Sequence, residues 1–180
     1  MRFFLALPLT EEARHQLAHL LSGAIPRPLP GRVVRPENWH VTLRFLGEVD
    51  EVGRDRLLAG LDAADLGPPF TIKWGGLGAF PNPRRATVLW VGMERGADEA
   101  VGVAGLVAEV VEAAGFPPED RPFKAHMTLS RIRPDQDVTT VLTAVPSVGV
   151  TMPVDRVVAY QSHLGRGGPR YEEIEVFPLG

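Results

Sequence analysis

Two hydrophobic periods alternate along this chain. Apolar residues run together or alternate over positions 2–7, 39–47, 70–78, 87–93, 123–132, 148–162 and 171–177, which read as strands, the stretch 148–162 as one or two. They recur every three to four positions over 11–23, 51–64, 97–114 and 139–145, which read as helices. Thr10 supplies an N-cap for the first helix, with Glu11 and Glu12 in its first turn, and Ala13, Leu17, Leu20 and Leu21 form its apolar stripe. The proline-rich stretch 26–36, with Gly31, breaks that helix. The second helix turns Leu57, Leu58 and Leu61 inward. The third buries Val101, Ala104, Leu106 or Val107, Val110 and Val111, and Gly115 ends it. Trp39, Trp74 and Trp90 fall within strands and read as packing residues.

The order strand, helix, loop, strand occurs twice, and each time the last strand carries the same short pattern: His40-Val41-Thr42-Leu43 and His126-Met127-Thr128-Leu129. The spacing repeats as well, with 38 positions from Arg2 to His40 and 38 from Val88 to His126. A duplicated unit is therefore expected, the first copy over about 1–80 and the second over about 85–180, forming two lobes of one bilobal domain related by an approximate two-fold axis. The fold class is α+β, with mostly antiparallel sheets lining a central groove and helices outside.

On a strand, residues two apart share a face, so each histidine and its threonine point one way while Val41, Leu43, Met127 and Leu129 point the other. If both copies face one cleft, it holds two imidazoles and two hydroxyls. Unperturbed histidine titrates near neutrality and supplies both a base and an acid there. The hydroxyls can donate to phosphate oxygens as charge develops on them. The remaining histidines lack such a setting. His15 and His19 sit at i and i+4, a spacing that can hold a metal, yet no second ligand pair accompanies them, and a solvated helix face is the reading. His163 lies near the glycine-rich loop 165–169 and stays ambiguous.

Composition narrows the chemistry further. The chain has 180 residues, 44% hydrophobic and 23% charged, enough to bury a substantial core. With no cysteine, thiolate nucleophiles, disulfides and Cys-ligated metal centres are excluded. No apolar run reaches the ~18 residues of a membrane span, and the apolar stretch at the amino end is too short for a secretory signal, so a cytoplasmic location and no membrane partner are expected. A formal net charge of −3 argues against coating nucleic acid by bulk electrostatics, so any contact with it should be local.

The runs 39–49, 78–81, 88–92, 122–131 and 161–171, which include both His-x-Thr motifs, resemble the bacterial and archaeal RNA 2′,3′-cyclic phosphodiesterases, members of the 2H phosphoesterase superfamily also called 2′-5′ RNA ligases. The resemblance spans essentially the whole chain in order. It implies hydrolysis of RNA 2′,3′-cyclic phosphate ends to 2′-phosphomonoesters, with no metal or other cofactor and with 2′-5′ ligation as the reverse reaction. By motif position, His40 resembles the proton donor, His126 the proton acceptor, and Thr42 and Thr128 the phosphate-binding hydroxyls. A monomer acting on RNA ends is expected.

Substrate contacts are weaker expectations. On a regular strand Arg44 shares the face of His40 and could meet the RNA backbone, and Phe45 points to the core. Lys124 shares the face of His126. Arg131, five positions on from His126, faces away unless the strand bends. Tyr171 could contact the nucleotide. Two other functions compete: a phosphodiesterase for a small cyclic phosphate, such as a nucleoside 2′,3′-cyclic phosphate or ADP-ribose cyclic phosphate, and a non-catalytic module that binds RNA ends.

Overall fold

The structure, a computed structural model, describes residues 1–25 and 27–180. Pro26, at the start of the expected break, lies outside the described residues. In chain order the elements are β1 (Arg2–Pro8), α1 (Glu11–Ala24), β2 (Arg32–Val33), β3 (His40–Glu48), α2 (Glu51–Ala63), β4 (Phe70–Phe80), β5 (Ala86–Arg95), α3 (Ala97–Ala113), β6 (Met127–Gln136), α4 (Thr139–Ala144), β7 (Thr151–Val154), β8 (Arg156–His163) and β9 (Arg170–Pro178). The α+β class holds. One sheet has the order β3-β1-β8-β9 and the other β2-β6-β5-β4-β7, and every pairing is antiparallel.

The strand order corrects the expectation of lobes built from consecutive segments. β4 lies in the first repeat unit but pairs with β5 in the second sheet, and β8 lies in the second unit but pairs with β1 in the first. The core β3-β1-β8 thus corresponds to β6-β5-β4, each sheet completed by a strand from the other unit. β2, a two-residue strand in the proline-rich stretch, also crosses over and pairs with β6. Its sequence carries no strand period, which is why it goes unnoticed until its partner is known.

Capping follows the local chemistry. The Thr10 side chain accepts from the Ala13 amide, and the Asp50 side chain accepts from the Gly53 amide at the start of α2. Helix phase differs in detail from expectation. In α1 the buried residues are Ala13, Leu17 and Leu21, strictly four apart, and Leu20 is 43% exposed. In α3 they are Ala100, Val103, Ala104, Val107 and Val111, and Val101 faces solvent. α3 packs on α2, and side chains from both sheets and these helices, including Leu5, Leu17, Leu57, Trp74, Val107 and Met127, form one continuous core. None of the described helices is long and apolar enough to cross a membrane.

The corrected phase of α1 is testable by urea unfolding. Leu17→Ala is expected to cost about 2–5 kcal/mol, and Leu20→Ala less than about 1 kcal/mol; equal losses would contradict the packing.

Candidate active site

A groove of about 820 Å³ opens between the two sheets. It is lined by strand and loop residues and by no residue of the described α-helices. His40, Thr42, His126 and Thr128 all face it, so the two motifs meet as the repeat demands. Each imidazole is held in the same way. His40 Nδ1 lies 2.7 Å from the Asn38 carbonyl, and His126 Nδ1 lies 2.7 Å from the Lys124 carbonyl. A carbonyl oxygen only accepts, so Nδ1 carries the proton in both rings and Nε2 is the atom left for chemistry. Thr42 Oγ1 is 2.8 Å from His40 Nε2, and when that ring is neutral the hydroxyl is the donor.

The aromatic surroundings differ between the two rings. His40 packs against Phe4 at 4.9 Å between centroids and meets Tyr171 edge-on at 5.3 Å. His126 is met by Phe80 edge-on at 5.1 Å and by Trp90 at 6.1 Å. Burial strips water from the charged form and lowers both pKa values, that of His40 to about 4. The carbonyl bonds oppose this shift, and the positive charge of Arg131 adds to it at both rings.

β-bulges decide what else reaches the groove. In β3 the register jumps from Ala6 opposite Thr42 to Leu5 opposite Arg44, leaving Leu43 as the extra residue. In β6 it jumps from Trp90 opposite Thr128 to Leu89 opposite Ser130, leaving Leu129 as the extra residue. After each bulge the alternation is reversed. Arg131 therefore turns back to the groove on the face of His126. Arg44 does the opposite and is corrected: it is 6% exposed, donates to the Pro117 carbonyl and lies 3.2 Å from the Glu119 carboxylate, away from the groove. Phe45 takes the place expected for Arg44. It is exposed, lines the groove and carries the Arg2 guanidinium 5.3 Å above its ring. The only sequence signal for this exchange is the identity of position five after each histidine, which period-two reasoning turns the wrong way.

The other expected contacts divide. Tyr171 lines the groove. Lys124 does not: its ammonium lies over the Phe80 ring at 5.3 Å, and its carbonyl is what touches the site. His163 is outside the lining and lies 2.7 Å from Glu172, and His15 and His19 are exposed on α1. Sequence reasoning missed Arg2, Arg32, Arg35 and Arg166, which with Arg131 make five arginines around a groove whose described lining contains no carboxylate. Asn38 joins the rim to the 165–169 loop by donating to the Pro169 carbonyl at 2.9 Å.

The family description LigT-like phosphoesterase matches residues 7–90 and 91–171, one His-x-Thr motif in each stretch. The chain belongs to the LigT-like phosphoesterase family. It is 34% identical to the RNA 2′,3′-cyclic phosphodiesterase of Aeropyrum pernix over 163 residues, 88% of this chain and 92% of that one. With the enzyme of the same name from Thermus thermophilus it shares 36% over 188 residues, 99% of this chain and 90% of that one. E. coli LigT, solved in complex with 3′-AMP, superimposes with a TM-score of 0.82 at 29% identity, covering 99% of this chain and 97% of that one.

The depressed histidines link protonation to folding. His40 titrates near 6.5 when unfolded and near 4 when folded, so between those values the unfolded state binds more protons. The stability that neutral His40 confers is fully present above about pH 6.5 and lost as the pH falls toward 4. Urea midpoints measured across this window should fall with acidification, and less steeply in His40→Gln; an unchanged slope would show that His40 titrates normally.

Proposed function

We propose that the chain hydrolyses RNA 2′,3′-cyclic phosphate ends to 2′-phosphomonoesters without a metal. The observation that carries this reading is the pair of imidazoles with Nδ1 bound to backbone and Nε2 turned to one groove ringed by arginine, that of His40 beside the Thr42 hydroxyl. That curated relatives of similar length are named for this reaction supports it. The acid-base pair and the hydroxyls come from one chain, so the acting unit is taken as a monomer.

In the proposed reaction, His126 Nε2 takes a proton from water as the water oxygen attacks phosphorus. The bond from phosphorus to O3′ breaks, and O3′ takes a proton from His40 Nε2–H, leaving the phosphate on O2′. Thr42, Thr128 and Arg131 donate to the non-bridging oxygens as negative charge gathers there. Arginine's fork suits two of those oxygens at once. The same step with an RNA 5′-hydroxyl in place of water gives a 2′-5′ linkage, and its reverse cleaves one. Phe45 offers a flat apolar face to a base, and Arg32, Arg35 and Arg166 on the rim suit further phosphates. A groove of this size favours an oligonucleotide over a mononucleotide or ADP-ribose cyclic phosphate, and two intact motifs argue against a module that only binds.

One observation favours a second assignment of the histidines. Burial keeps His40 neutral at physiological pH, and its Nε2 accepts from Thr42, which is the state of a base. For His40 to act as the acid, the bound phosphate anion must draw a proton onto Nε2, and Thr42 must turn its hydroxyl to the phosphate.

His40→Ala and His126→Ala are each expected to lose about 10²–10⁴-fold in rate, EDTA should change nothing, and the rate against pH should be bell-shaped. Product analysis with an RNA ending in a cyclic phosphate checks all three. Full activity in either variant would refute the mechanism. Sulfur in place of O3′ leaves without a proton, so this substrate should rescue His40→Ala alone; rescue of His126→Ala alone would reverse the roles.

A further inference from the structure

Among the described residues, the two buried polar side chains stand at equivalent places, Arg44 four positions after His40 and Ser130 four after His126, with exposures of 6% and 0%. A core-facing strand position ordinarily takes an apolar side chain, and burying a polar or charged one is costly unless a hydrogen-bond partner or counter-charge lies against it. Neither residue finds its partners in its own repeat unit. Arg44 Nη2 donates to the Pro117 carbonyl and its Nε faces Glu119 at 3.2 Å, both in the segment that leads from α3 to His126. Ser130 Oγ donates to the Pro30 carbonyl and lies 3.4 Å from the Arg32 carbonyl, both in the segment that leads from α1 to His40.

We propose that Arg44 and Ser130 are positioning residues acting crosswise, each carried on one histidine strand and fixing the approach of the chain to the other histidine. The inference rests on the two-histidine reading of the site. Each braced segment ends at the carbonyl that orients its imidazole, Lys124 in one case and Asn38 in the other. A slack segment therefore turns the ring at its end. The first segment is also pressed directly against β6. Val34 N donates to the Leu129 carbonyl at 2.8 Å, and Gly31, at φ +79°, passes so close that a Cβ would sit 2.4 Å from the Arg131 carbonyl oxygen. Neither brace works by direct charge on the imidazoles. The charged groups facing His126 are Arg131 and Lys124, those facing His40 are Arg131 and His126, and the Arg44 guanidinium is turned into the 117–119 segment.

The test follows both imidazoles by nitrogen-detected NMR titration, with and without inorganic phosphate, beside steady-state turnover of a cyclic-phosphate RNA. Arg44→Met keeps the packed stem and removes the brace, Glu119→Ala removes its half-exposed anchor, and Ser130→Ala removes the other brace. Arg44→Met and Glu119→Ala should displace the His126 titration and leave that of His40 in place, and Ser130→Ala should do the reverse. Misplacement of this kind should lower kcat by about 10- to 100-fold while KM stays within about twofold. Arg44→Lys, which restores a donor to Pro117, should recover part of the loss. Variants that lose thermal stability but keep wild-type titrations and kcat would overturn the proposal, as would variants that disturb only the histidine on their own strand. If Arg44→Met fails to fold, Glu119→Ala decides. The crossed titration pattern in a protein without turnover would uphold the braces and refute the proposed reaction.

Discussion

Two imidazoles supplied by copies of one unit have to face each other across a gap that neither copy can span alone, and the chain meets this constraint by completing each sheet with a strand from the other unit. β8 lies against β1 and β4 against β5, so each histidine strand sits at the end of a three-strand core whose third member arrives from the opposite unit. Separation of the lobes would strip both sheets of a strand and leave buried amides and carbonyls unpaired. The two sheets that flank the groove are therefore tied to each other by the chain that carries each exchanged strand across. The main core, which runs through both sheets, adds apolar burial to that constraint.

Within this frame the imidazoles are set by short-range bonds. A carbonyl two residues upstream holds each Nδ1, which fixes ring tilt and tautomer together and commits Nε2 to the groove. Aromatic rings pack around each imidazole and remove water, so the neutral form is favoured when the groove is empty. The five arginines act in the opposite sense on a substrate, since their field draws in an anion and that anion favours the imidazolium. The site is thus poised to charge when an anionic ligand enters.

Much of this was legible because the decisive pattern is local. His40 to Leu43 and His126 to Leu129 alternate faces as period-two reasoning requires, and the 38-residue spacing makes the two copies equivalent. The reasoning fails at Leu43 and Leu129, because a bulge there reverses the faces of the residues that follow and no residue type announces it. Arg44 shows the cost of this: exposed arginine is the usual expectation, yet this one is buried against partners more than 70 positions away, the Pro117 carbonyl on Nη2 and the Glu119 carboxylate as counter-charge. β2 and the exchanged strands were hidden for the same reason, since pairing across units leaves no mark in either unit's sequence. Helix phase was right to within one position, and Leu20 and Val101 were misread because apolar residues on both flanks widened the apparent stripe.

A symmetric site cannot by itself decide which bond of an asymmetric phosphodiester is broken, so the differences between equivalent positions carry that information. Five residues after the histidines, one strand offers the apolar ring of Phe45 and the other the charge of Arg131, both turned inward by matching bulges. Where β1 places Phe4 beside His40, β5 places Trp90 beside His126, and Tyr171 closes over His40 alone. The two halves of the groove are consequently unlike in polarity: one end suits a base and its ribose, and the other suits phosphate oxygens. In the proposed reaction a nucleotide bound in that sense would present O3′ to one imidazole and the attacking water to the other. In that proposal the side chains that break the repeat assign direction to a reaction for which the repeat supplies only the pair of proton carriers.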